Sequence, residues 1–126
     1  ISPRHTIARW CAAVTGAAAS RTTPLRVLLA DDAETLRTLL AQAIDVDPRL
    51  EVVGQASDGR ETLALVATLN PDVLLLDISM PLLDGIGVLV ELATQRRDLP
   101  VVVVLTGYGE ADLGKRCRDL GARSFV

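Results

Sequence analysis

Cysteine is scarce in this 126-residue sequence: Cys11 and Cys117 stand far apart, with no second pair at metal-ligand spacing. That excludes a disulfide framework and a cysteine zinc site, and it fits a reducing cytosol. Positive charge is also short. Thirteen basic residues against 16 acidic ones leave a net charge of −3, the wrong sign for a domain that neutralises nucleic-acid phosphates directly. No segment approaches the roughly twenty consecutive apolar residues of a membrane span. Histidine occurs once, as His5, in a polar stretch with no predicted helical bundle around it, so a phosphohistidine relay is not expected.

What is present is enough apolar material, 49% of residues, for one core, and the length predicts a single domain. Residues 1–24 read as a flexible or partly helical leader. Arg4, His5 and Arg9 precede an Ala-rich apolar stretch that is weak for a signal peptide. From Leu25 the pattern changes to short apolar runs alternating with amphipathic stretches, the mark of βα units around a parallel sheet. Strands are predicted over Leu25–Ala30, Glu51–Ala56, Asp72–Asp77, Val101–Leu105 and Ser124–Val126. The third and fourth, nearly all Val and Leu, should be central and covered on both faces.

Helices are predicted between them. Ala33–Val46 carries Leu36, Leu39, Leu40, Ala43 and Ile44 at helical spacing, and Asp58–Leu69 carries Leu63, Val66, Ala67 and Leu69. Asp84–Gln95 carries Ile86, Leu89, Val90 and Leu92, while Glu110–Leu120 is a more polar fourth helix ended by Gly121. Short connections make a doubly wound α/β sheet the expected fold.

In such sheets ligands gather at the carboxyl ends of strands, and those ends are acidic here. The first strand runs into Asp31-Asp32, the third ends in Asp77 followed by Ile78-Ser79-Met80-Pro81, and the fourth leads into Thr106-Gly107. Converging carboxylates with a hydroxyl opposite form a site for a hard cation, with Mg²⁺ the natural occupant. One carboxylate can then attack phosphorus to give an acyl phosphate. Each residue also has an ordinary reading. Asp31-Asp32 can cap a helix, Asp77 can be a solvated strand end, and Thr106 can lead into a glycine turn.

The series Asp31-Asp32, Leu74 to Gly85 around Asp77, Thr106 and Gly121-Ala122 resembles the receiver domains of two-component response regulators, from Leu25 to Val126. The resemblance implies a flavodoxin-like five-stranded sheet of order 2-1-3-4-5. It makes Asp77 the phosphoacceptor, Asp32 a direct magnesium ligand, Asp31 a ligand through water and the Ser79 backbone carbonyl a further ligand. Thr106 becomes the switch hydroxyl and Phe125 its aromatic partner. The implied partner is a sensor histidine kinase, with homodimerisation through the face of the fourth helix and fifth strand.

The stretch Glu51 to Gly59 and the shortage of aromatics look most like the NarL/FixJ type, whose receivers precede a DNA-binding output domain. The implied role is phosphate-controlled transcriptional regulation in the cytoplasm, without enzymatic activity beyond self-phosphorylation and dephosphorylation. The family's lysine is expected just past Val126, and the last helix is expected to be missing. Lys115, the only lysine, reads as a surface residue. Two other readings stand beside this one. A magnesium-dependent phosphohydrolase would carry a second Asp where Ser79 stands, and a phosphate-independent interaction module would bind neither magnesium nor phosphate.

Overall fold

The computed structural model describes residues 23–77, 84–95, 100–105 and 124–125. The leader, Ser79, Thr106 and the helix predicted over Glu110–Leu120 lie outside the described residues. Five parallel strands form one sheet: β1 (Leu25–Ala30), β2 (Leu50–Ala56), β3 (Val73–Asp77), β4 (Val101–Leu105) and β5 (Ser124–Phe125). Their order is β2-β1-β3-β4-β5, the expected one. Three helices connect them among the described residues: α1 (Glu34–Asp45), α2 (Gly59–Leu69) and α3 (Gly85–Gln95).

Alternation along the strands divides the core in two. Leu28, Ala30, Leu74, Leu76, Val102 and Val104 pack on one face with Val66 of α2 and Val88, Leu89 and Leu92 of α3. Their sequence neighbours Leu25, Val27, Leu29, Val73, Leu75 and Val103 pack on the other, against Leu40 and Ile44 of α1. The runs of Val and Leu carry no polar alternation because both faces are covered.

Local chemistry fixes the element ends. Asp58 caps α2: its Oδ1 accepts the Glu61 N–H at 2.8 Å, and Glu61 Oε1 accepts the Ser57 N–H at 3.2 Å. Asn70 closes the helix in the left-handed region at φ 46°, and Pro71 follows. Arg26 reaches from β1 to donate to the Leu69 and Asn70 carbonyls at 2.6 and 3.1 Å, holding that helix end to the sheet. The register of β1 against β2 shifts between Val27 and Leu28, so Val53 is passed over and Gly54 sits opposite Leu28. A Cβ on Gly54 would lie 2.8 Å from Leu69 Cδ1, which is why the strand approaches α2 there through a glycine.

Three residues of the apolar helical periodicity turn outward rather than onto the sheet: Leu36 and Leu39 of α1 are 39% and 46% exposed, and Val90 of α3 is 42% exposed. The sheet takes only the face of α1 centred on Leu40 and Ile44, and α3 turns Val88, Leu89 and Leu92 inward instead. No helix among the described residues is long and apolar enough to cross a membrane.

Candidate functional site

β1 and β3 are neighbours in register, with Ala30 opposite Leu76, so the residues that follow them meet at the carboxyl edge of the sheet. Asp31, Asp32 and Asp77 gather there. Each offers a carboxylate oxygen, and the three atoms lie within 4.8 Å of one another. Their surroundings differ: Asp31 is buried, Asp77 half-buried and Asp32 exposed. One carboxylate is thus sealed into the sheet edge while the others face the opening.

Asp31 is held on all sides. Its backbone N–H donates to the Ala56 carbonyl at 3.0 Å, extending the β1–β2 pairing by one residue. Its Oδ1 accepts the Ala33 N–H at 2.8 Å. Its own carbonyl accepts from Arg37 Nη1 at 2.6 Å, and Arg37 Nε also donates to Gln55 Oε1 at 3.2 Å. Burial pushes the Asp31 carboxyl above its ordinary range and the Asp32 charge adds to the rise, against the opposing pull of the Ala33 bond and the Arg37 guanidinium.

The capping alternative for the acidic pair now has an answer. Ala33 is the residue before α1 and gives that helix no side-chain cap. Asp31 instead ties the extended backbone of Ala33, at φ −87° and ψ 106°, so the tight turn serves the carboxylate cluster rather than the free amides of the helix. α2 and α3 are the helices that receive aspartate caps, from Asp58 as described above and from Asp84, whose Oδ1 accepts the Gly87 N–H at 2.8 Å.

Of the other expected site residues, Ser79 and Thr106 lie outside the described residues. Thr106 follows Leu105, whose backbone stands in register with Asp77. Phe125 is placed by its backbone alone, opposite Val104 in β5. Arg37 and Gln55 were not singled out from the sequence. The signal available for Arg37 was its position one turn into a helix that starts beside the acidic pair, close enough for a long side chain to fold back over Asp31.

Buried and repelling carboxylates of this kind are relieved by a divalent cation, and hard oxygen donors select Mg²⁺-like ions. The donor set therefore fits such an ion. Asp77 is half-buried at the carboxyl end of β3, beside the two other carboxylates.

Comparison with known proteins follows the same line. Residues 27–126 match the sequence profile of a family described as response regulator receiver domain. The chain is 45% identical over 104 residues to a protein-glutamate methylesterase/protein-glutamine glutaminase of Symbiobacterium thermophilum, covering 82% of this chain and 28% of that protein. It is 38% identical over 103 residues to the transcriptional regulatory protein PdtaR of Mycobacterium tuberculosis, covering 82% and 49%. Among solved structures, the signal receiver domain of NarL from Mycobacterium tuberculosis superposes with a TM-score of 0.75 at 31% identity, covering 81% of this chain and 82% of that one. The chain spans less than half the length of either curated relative.

Proposed function

The chain belongs to the response regulator receiver domain family, and from that membership we propose that Asp77 accepts a phosphoryl group from the phosphohistidine of a sensor histidine kinase. An Asp77 carboxylate oxygen forms the new bond to phosphorus as the bond from phosphorus to the imidazole nitrogen breaks, and the nitrogen keeps the electron pair. The observation that carries this reading is the meeting of Asp31, Asp32 and Asp77 within 4.8 Å at the ends of β1 and β3.

Asp32 and Asp77 would hold a magnesium ion through carboxylate oxygens, Asp31 through water, and the Ser79 carbonyl would complete the protein ligands. Bound there, the ion supplies positive charge against which the phosphoryl oxygens are neutralised. Asp31 keeps the pocket acidic yet ordered, because its carboxylate is fixed by Ala33 and its carbonyl by Arg37. Thr106 turns its hydroxyl to a phosphoryl oxygen, and Phe125 follows into the vacated space. The face beside β5 changes shape in consequence and governs homodimerisation. The reaction class is phosphoacceptance with self-dephosphorylation, carried out in the cytoplasm.

For the output, we favour control of transcription through a DNA-binding region outside the receiver, the receiver itself making no contact with nucleic acid. The superposition on the NarL receiver and the net charge of −3 support this. A second reading is favoured by the 45% identity to a methylesterase: here the same phosphorylation would govern an attached esterase region.

The phosphoacceptor assignment is tested with acetyl phosphate and magnesium, followed by intact mass of the wild type and Asp77→Asn. We expect a magnesium-dependent phosphoryl adduct on the wild type alone. A folded wild type that takes no phosphoryl group, or an adduct that survives in Asp77→Asn, overturns it.

A further inference from the structure

A guanidinium is an odd neighbour for three carboxylates that suit a cation, because its charge repels the ion they would hold. Arg37 nevertheless stands beside them, half-buried in the first turn of α1. What it grips is informative. Its Nη1 donates at 2.6 Å to the backbone carbonyl of Asp31, and among the described residues it bonds neither the Asp31 nor the Asp32 carboxylate. Arg37 therefore holds backbone, not ligand oxygens.

That carbonyl belongs to the peptide unit joining Asp31 to Asp32. The unit is planar, so anchoring its oxygen removes a rotation that would otherwise swing the Asp32 side chain. Asp32 depends on this. Its carboxylate is exposed and receives no N–H bond among the described residues, whereas the Asp31 carboxylate has the Ala33 N–H at 2.8 Å. Only its backbone aims it.

The anchor is itself tied to the end of β2. Gln55 Oε1 accepts Arg37 Nε at 3.2 Å, and the carbonyl of the next residue, Ala56, accepts the Asp31 N–H at 3.0 Å. Two consecutive residues of β2 thus hold Asp31 from both sides, Ala56 directly and Gln55 through the guanidinium. The fork of Arg37 suits the task, since its planar donors reach two acceptors at once. Its own N–H bonds the Ala33 carbonyl at 3.0 Å, which seats it on the helix.

We propose that Arg37 is a positioning residue for the cation site: by fixing the peptide plane between Asp31 and Asp32 against the end of β2, it aims the Asp32 carboxylate at the point shared with Asp31 and Asp77. The inference rests on the reading of these three aspartates as a magnesium site. Magnesium coordination demands near-octahedral geometry at about 2.0–2.1 Å, so a ligand free to swing contributes little. Charge and positioning predict opposite signs. If Arg37 acted by charge alone, its removal would tighten magnesium binding; acting by position, its removal weakens binding although the repulsion is relieved.

Magnesium titrations of the ¹⁵N-labelled full chain, followed by amide shifts, measure the affinity and show in the same spectra that each variant is folded. For Arg37→Ala we expect the dissociation constant to rise about tenfold, the lower end of what residues that orient metal ligands contribute. Arg26→Ala is the control. Arg26 makes the same kind of bond to the Leu69 and Asn70 carbonyls, five residues back along β1 and about 17 Å away, so its loss should leave the constant unchanged. If Arg37→Ala does not fold, Gln55→Ala replaces it and should raise the constant severalfold by releasing the guanidinium. An unchanged or tighter constant in the Arg37 variant, or in the Gln55 variant where that one decides, overturns the proposal, as does an equal rise in Arg26→Ala. A wild type that binds no magnesium overturns it together with the reading of the three aspartates as a cation site, whereas failure of the variants alone leaves that reading standing.

Discussion

Arg37→Ala isolates the contact that ties the first helix to the acidic edge. Arg37 Nη1 donates to the Asp31 carbonyl at 2.6 Å, a short bond from a charged donor to a partly buried acceptor. Bonds of this kind contribute about 1.5–3 kcal/mol, while the exposed 3.2 Å bond to Gln55 adds little. We therefore expect Arg37→Ala to lose about 2 kcal/mol of stability. With a urea dependence of about 1.5 kcal/mol/M, the unfolding midpoint should fall by roughly 1.3 M.

A rival account makes Arg37 only a counter-charge, since its guanidinium lowers the proton affinity of the Asp31 carboxyl. A double-mutant cycle with Asp31→Asn separates the two, because the substitution removes the charge and keeps the backbone carbonyl. If the carbonyl bond dominates, Arg37→Ala costs the same in both backgrounds to within about 0.5 kcal/mol. The reasoning is refuted if the loss is below about 0.5 kcal/mol in the wild type, or if it vanishes in Asp31→Asn. The first result would reduce Arg37 to a solvated charge near the pocket, and the second to a counter-charge for the Asp31 carboxylate.

Burial raises the Asp31 carboxyl, so the folded state holds that proton more tightly than the unfolded chain does. Its stabilising effect is then greatest below the ordinary carboxyl range and falls as pH rises through the raised folded value. Without divalent cations, Asp31→Asn should be more stable than the wild type near neutral pH, with the gap closing in acid; urea midpoints from about pH 3 to pH 7 measure it. Asp58→Ala removes the cap on the Glu61 N–H and should cost about 1 kcal/mol, read as a fall in Tm of about 4–8 °C. Leu75→Ala, at a residue 1% exposed in the central strand, should cost about 2–5 kcal/mol by chemical denaturation.

The sheet was legible in the sequence because its strands are short, continuous and aliphatic, and only burial on both faces tolerates such runs. β1, β3 and β4 accordingly appear where the Val and Leu runs stand, with boundaries moved by a residue at most. The bulge at Val53 was not legible, since nothing in Glu51-Val52-Val53-Gly54 marks which residue the partner strand passes over. Beside it, Gly54 sits where a Cβ would lie 2.8 Å from Leu69 Cδ1 of α2, a contact between elements that the local sequence does not display.

The acidic edge was legible as residue types and illegible as roles. Asp-Asp before a helix satisfies the sequence pattern of a cap as well as that of a carboxylate cluster, and both depend on the same oxygens. The choice rests on the conformation of Ala33, whose extended backbone turns its N–H to Asp31 before the helix begins. The same kind of degeneracy hid the outer stripe of α1. Leu36 and Leu39 recur with the period of Leu40 and Ile44, and helical periodicity locates an apolar face without saying which part of a broad one meets the sheet. A helix apolar over two adjoining stripes can pack against two surfaces, and the sheet supplies one of them through Leu29, Val73 and Leu75. The exposure of Leu36, Leu39 and Val46 marks the part of that broad face which the sheet does not cover.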